Sequence, residues 1–146
     1  ILALAYCINT ITKSMGAADF LLGVCESWMT PALFLSVTFI AGAVISFFTG
    51  SSWGTFAICI PIAVPMAYSF TGGQLGTLVY AAVGAVVSGG LFGDHCSPVS
   101  DTSVLSSLGA ACDHIDHVRT QLPYALLAAA VSIILWVVVA LVGGAA

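Results

Sequence analysis

The segment LPYALLAAAVSIILWVVVALV, residues 122 to 142, contains no charged side chain. A helix needs about 20 predominantly apolar residues to cross a hydrocarbon core about 30 Å thick, and this segment meets that length. It is not alone. PALFLSVTFIAGAVISFF at 31 to 48 and LGTLVYAAVGAVVSGGLF at 75 to 92 have the same character, and FAICIPIAVPMAYSF at 56 to 70 adds a shorter apolar run carrying Pro61 and Pro65. Of the 146 residues, 60% are hydrophobic and 5% charged, against roughly 25% charged in an ordinary soluble domain. One soluble core could not bury so many apolar segments. The expected fold class is an all-α polytopic membrane protein, because lipid leaves the backbone no hydrogen-bonding partners outside its own helix.

The few charges narrow the function further. A net charge of −4 and no basic face argue against nucleic-acid binding. Five cysteines without paired spacing give no disulfide framework. Lys13 and Arg119 are too few to orient the chain in the bilayer, and nothing sets the oligomeric state, with which a homo-oligomer is compatible. Residues 1 to 12 read as the end of a helix and 12 to 20 as its exit, with Lys13 snorkelling at the surface. Residues 21 to 30 read as an interfacial stretch, with Trp28 in the aromatic belt. Because the sequence opens at Ile1 inside an apolar run, it reads as part of a longer chain, and its GGAA end is either a true terminus or a second cut.

Two polar segments interrupt the apolar pattern, TGSSWGT at 49 to 55 and GDHCSPVSDT at 93 to 102. Non-helical backbone at membrane depth survives only against protein or a wet cavity. Gly50, Gly54 and Gly93 admit backbone conformations other residues avoid, and Pro98 removes an N–H donor and stops a helix. Both effects free carbonyls. Those carbonyls, with the hydroxyls of Ser51, Ser52, Thr55, Ser97, Ser100 and Thr102, are hard oxygen ligands of the kind small cations prefer. A pair of interrupted hydrophobic segments is also the best sequence pointer to the binding site of a secondary transporter.

The second break adds two acids, Asp94 and Asp101. A carboxylate at the bilayer centre costs roughly 2.5 to 3.5 kcal/mol even on lenient insertion scales, so intramembrane acids point to ion or proton pathways. With Pro98 between them, the two are expected to converge across a broken helix. Burial favours a neutral carboxyl group and a bound cation favours an ionised one, so one site can hold a proton or Na⁺ in turn. Competition of that kind, combined with alternating access, suffices to exchange one ion for the other.

The matching text TGSSWGTFAICIPIAVPMA, GDHCSPVSDTSVLSS and CDHIDHVRTQLPYAL, with TKSMGAADF ahead of them, resembles the NhaC-type family of sodium/proton antiporters. The resemblance covers most of the chain with its motifs in order. It implies the C-terminal portion of a longer antiporter whose N-terminal half lies elsewhere, a transporter half with a re-entrant helical hairpin over 31 to 70, tipped by TGSSWGT, and a helix over 75 to 111 broken at GDHCSPVSDT. It also implies a multi-pass protein of a bacterial or archaeal cell membrane that carries Na⁺ and H⁺ and uses no resident cofactor. Relatives that exchange organic acids, malate for lactate among them, supply the alternative cargo.

Three rival readings remain. His95, Cys96, Cys112, His114 and His117 are zinc-ligand types, but they lack a Cys-x-x-Cys pair and any compact knuckle spacing, so no metal site is expected. DHIDHVRT reads first as a juxtamembrane helix start, with Asp113 as N-cap candidate and Asp116 near Arg119 at helical spacing. The sharper alternative makes His114 or His117, and with them His95, pH-responsive groups at a cavity mouth, since an unperturbed imidazole titrates near pH 6.5. An intramembrane aspartyl protease would use paired aspartates, but Leu91 stands where such an enzyme's Gly-x-Gly-Asp needs its first glycine, and there is no Tyr-Asp dipeptide. An enzyme is therefore not expected. A purely structural membrane subunit would explain the helices but not the density of Asp, Ser and Thr at the breaks.

Overall fold

The computed structural model describes residues 29 to 143 continuously, together with positions 7, 10, 11, 14 to 16, 20, 23 and 24. The expectations for Lys13 and Trp28, and for most of 1 to 28, lie outside the described residues. Between residues 29 and 143 five helices follow in order: α1 Pro31–Thr49, α2 Ser52–Phe70, α3 Thr77–Cys96, α4 Asp101–Gly109 and α5 His114–Gly143. No strand occurs among the described residues. Four of the helices, all but α4, are long and apolar enough to cross a membrane.

The helix ends follow from local chemistry. Thr30 caps α1 by accepting the N–H of Leu33 at 3.3 Å, and Pro31 occupies the first turn, where its missing N–H is harmless. The chain turns between α1 and α2 in two residues. Gly50 takes the left-handed conformation (φ 65°) with its N–H on the carbonyl of Ser46, and Ser51 then caps α2 by accepting the N–H of Gly54 at 3.3 Å. The helical hairpin read from the sequence is therefore present. Each arm has 19 residues, about 28 Å at 1.5 Å per residue, which is the length of a full crossing. Re-entry is not something their length requires.

Helix α3 is the centre of the bundle and touches each of the other four helices. Its contact with α1 is made backbone to backbone. A Cβ added at Gly89 would strike the Phe39 carbonyl oxygen, and one at Gly93 would strike that of Ala43 and lie 2.8 Å from the Phe47 nitrogen. Around this seam Phe34, Leu35, Phe39, Ala82, Ala85 and Val86 form the dry core. Small residues that admit close backbone approach are what helix pairs in lipid use in place of a hydrophobic driving force.

Helix α3 ends where the sequence predicts its break. Ser97 is extended, Pro98 follows, and α4 starts after Ser100, whose hydroxyl accepts the Thr102 N–H at 3.2 Å. The helix start read at DHIDHVRT and the spanning segment from 122 to 142 form one helix of 30 residues, with Pro123 inside it. At about 45 Å it exceeds the hydrocarbon thickness, so its polar start can stand outside the apolar layer. Proline deletes one hydrogen bond of the ladder without ending the helix. The cap is as expected: Asp113 Oδ1 accepts the N–H groups of Ile115 (2.9 Å) and Asp116 (3.2 Å). Only 17% of the apolar window of α5 is buried, against 50% for α3. Much of α5 thus presents apolar side chains outward, among them Leu127, Ile134 and Leu141.

Candidate functional site

The last turn of α3 cannot pass its carbonyls to a following turn, because Ser97 and Pro98 leave the helical path. Side chains take over that role. The Val99 N–H donates to Ser97 Oγ at 3.2 Å, and the Ser97 hydroxyl donates to the Phe47 carbonyl of α1 at 2.6 Å. Gly50, at the hairpin turn, faces the same segment, since a Cβ there would lie 2.8 Å from the Val99 carbonyl oxygen. The two polar breaks therefore meet, with the tip of the α1–α2 hairpin lying against the gap between α3 and α4.

Asp94 is 6% exposed, one turn before the break. The Ser100 hydroxyl donates to Asp94 Oδ1 at 2.6 Å, and Ser100 Oγ lies 2.7 Å from Thr102 Oγ1. With the Ser100 proton committed to the carboxylate, Thr102 is the donor in the second contact. Ser100 itself is fully buried. Hydrogen bonds to a charged group are the stronger kind, worth about 1.5 to 3 kcal/mol. The chain Thr102–Ser100–Asp94 can also reverse its donors when the carboxyl group carries a proton.

Asp94 and Thr102 open on a cavity of 560 Å³, walled also by Phe39, Phe92 and His95 and by one face of α5. That face contributes Gln121, Tyr124, Ala125, Ala128, Ala129 and Ser132, at helical spacing. Among the described residues lining it, Asp94 is the one acid and there is no Lys or Arg. Phe39 and Phe92 stack with ring centroids 6.1 Å apart and form its floor. Trp136 of α5 donates through Nε1 to Ser88 Oγ of α3 at 3.2 Å, a polar tie between two spanning helices.

The remaining expected site residues fall in three places. Asp101 is exposed in the first turn of α4 and does not line the cavity; a carboxylate there complements the helix dipole. Gly50, Ser51, Ser52, Gly54 and Thr55 of the hairpin tip are buried or half-buried but do not line it either. Ser51 is spent as a cap, Thr55 donates to the Ser51 carbonyl at 3.0 Å, and Ser52 is 6% exposed. His95 lines the cavity, whereas His114 lies at the break. His114 Nε2 is 2.7 Å from the Pro98 carbonyl oxygen and Nδ1 is 3.2 Å from Ser107 Oγ, so the ring ties α5 to both the gap and α4. His117, half-buried, stands one turn further along α5. Among the described residues no three His, Cys, Asp or Glu side chains gather as a metal-binding group.

The α5 wall was not singled out in the sequence. Gln121 read as the end of a hydrophilic patch and Tyr124 as part of a lipid-facing run. The available signal was the recurrence of 121, 124, 125, 128 and 132 on one face of an otherwise apolar helix.

Comparison with known proteins adds the family. The model of the Na⁺/H⁺ antiporter family matches residues 1–141. The chain is 36% identical over 114 residues to the malate-2H(+)/Na(+)-lactate antiporter of Bacillus subtilis, covering 78% of this chain and 23% of that protein. It is 30% identical over 141 residues to the arginine/ornithine antiporter ArcD of Halobacterium salinarum, covering 97% of this chain and 28% of that protein. It is 31% identical over 139 residues to the Na(+)/H(+) antiporter NhaC of Alkalihalophilus pseudofirmus, covering 95% of this chain and 29% of that protein. The chain thus spans about a quarter of the length of these curated relatives. No solved structure matches it. With four helices among the described residues able to span a bilayer and a family match over nearly its whole length, the chain is an integral, multi-pass membrane protein and belongs to the Na⁺/H⁺ antiporter family.

Proposed function

We propose that the protein is a secondary antiporter that exchanges Na⁺ for H⁺, with Asp94 as the group that holds either ion in turn. The observation carrying this reading is the buried Asp94 carboxylate on a cavity whose described lining has no Lys or Arg. A cavity whose described lining has one acid and no base favours a cation. Thr102 and Ser100 supply hydroxyl oxygens, and their reversible hydrogen-bond chain serves both the ionised and the protonated carboxyl group. Asp101 acts as an outer carboxylate, and the Gly50–Thr55 tip braces the break rather than ligating the ion directly. The family's Na⁺ and H⁺ and the names of the relatives support the ion assignment.

The site is completed, in this reading, by polypeptide outside this chain, in keeping with the small share of each relative that it covers. Exchange at unequal numbers moves charge, and the membrane potential then contributes about 2.3 kcal/mol per charge per 100 mV. A second reading, Na⁺- and H⁺-coupled exchange of organic acids, is favoured by the relative that exchanges malate for lactate and by a 560 Å³ cavity larger than a bare ion needs. Against it, an organic anion would need a positive charge that the described lining does not offer.

The two readings separate on one experiment. The natural full-length protein, reconstituted into liposomes with a pH-sensitive dye inside, is challenged with an inward Na⁺ gradient alone and then with malate and lactate on opposite sides. The expected result is proton efflux driven by Na⁺ alone. Efflux that requires the organic acids transfers the assignment to the second reading.

A further inference from the structure

The proposed exchange site leaves one polar group without a role. Gln121 of α5 donates through Nε2 to the His95 carbonyl at 3.1 Å, and the Ser103 hydroxyl donates to the same oxygen at 3.1 Å. In a continuing helix that carbonyl would take the N–H of Val99, which is held by Ser97 Oγ instead. Two side chains, from α4 and α5, thus replace one lost backbone bond at the peptide that follows Asp94.

This anchoring fixes the Gln121 amide. Its nitrogen must face the His95 carbonyl, since the reverse orientation would set two acceptors against each other. Its oxygen is then an acceptor, and that oxygen is buried with no hydrogen-bond partner. Buried acceptors in folded proteins are nearly always satisfied, and an exception calls for a missing water or ion. The same side chain lines the cavity that holds Asp94 and Thr102. The amide oxygen itself has almost no accessible surface in this arrangement, so it meets a ligand in the cavity after a shift of the side chain or of α5.

Resting on the exchange reading above, we infer that Gln121 is a specificity-determining residue of the cation site. Its amide oxygen completes, directly or through one water, the oxygen shell of a monovalent cation held at Asp94. The donor set is then a carboxylate, the Thr102 hydroxyl and an amide oxygen, all hard ligands suited to an alkali cation. Helices α3, α4 and α5 each contribute one of them, so a change in the position of α5 alters the affinity of the site.

The test measures Na⁺ dependence of exchange, and Li⁺ in place of Na⁺, in liposomes holding the full-length protein with Gln121→Leu or Ser103→Ala beside the wild type. Gln121→Leu keeps the volume and removes both polar atoms. Ser103→Ala removes the other donor to the His95 carbonyl and leaves the amide oxygen intact. The expected result is a rise of about fivefold or more in half-saturating Na⁺ for Gln121→Leu, the scale of one lost hydrogen bond. The Na⁺ to Li⁺ preference should change with it, while Ser103→Ala stays near the wild type in both. Equal shifts in the two variants would mean that Gln121 acts only through the His95 carbonyl, and would overturn the inference. So would a Gln121→Leu variant that loses maximal rate or folded yield with half-saturation and preference unchanged. A wild type that ignores Na⁺ would remove the exchange reading itself, a failure seen before any variant is compared.

Discussion

Asp94 and Asp101 are the same residue type seven positions apart, yet the fold treats them differently. Asp94 is on α3 before the break, 6% exposed and bonded by Ser100; Asp101 is exposed at the start of α4. Sequence could mark both as unusual acids in an apolar chain. It could not say which faces a cavity, because that depends on how Pro98 redirects the backbone and on where α5 packs. The histidines divide in the same way. His114 Nε2 lies 2.7 Å from the Pro98 carbonyl oxygen and Nδ1 3.2 Å from Ser107 Oγ, so its ring ties α5 to the break and to α4. We therefore expect His114→Ala to lower the thermal unfolding midpoint in detergent, on the scale of about 1 kcal/mol for each lost hydrogen bond, and His117→Ala to leave it close to the wild type. Equal stability of the two variants would remove His114 from this role.

At the scale of elements, the hairpin and the broken helix were legible because Gly, Ser and Pro interrupt strong apolar runs. Their contact with each other was not. The hydrogen bond from Ser97 to the Phe47 carbonyl joins residues 50 positions apart, and no local pattern predicts it. That the helix start after Asp113 and the spanning segment from 122 are one helix was less legible, because a change from polar to apolar sequence marks where a helix enters lipid, not where it begins. The tip-to-break contact gives a direct prediction at Gly50. Alanine there would have to adopt a left-handed conformation, costing about 1 to 2 kcal/mol, and its Cβ would lie 2.8 Å from the Val99 carbonyl oxygen. Gly54→Ala is the control, since its Cβ would stand 3.7 Å from Ser51 Oγ, an ordinary contact inside a helix. Thermal unfolding in detergent should show Gly50→Ala clearly destabilised and Gly54→Ala close to wild type. Equal stability of the two would mean that the hairpin tip does not rest on the break.

For the molecule as a whole, α1, α3, α4 and α5 line a cavity whose described lining has one acid, with α3 central and most of α5 left uncovered by the other described helices. Composition made the membrane setting plain, and motif order made the family plain. Cargo was less legible because it depends on the few polar groups of a mostly apolar wall, and relatives with different named cargoes match the same chain. The central claim is that Asp94 is the shared seat of Na⁺ and H⁺. The most direct test is Na⁺-driven proton movement in liposomes carrying the full-length protein as wild type, Asp94→Asn or Asp101→Asn, at matched amounts of folded protein. The account predicts that Asp94→Asn abolishes the response while Asp101→Asn retains most of it. An Asp94→Asn variant that still moves protons on addition of Na⁺ would contradict the account.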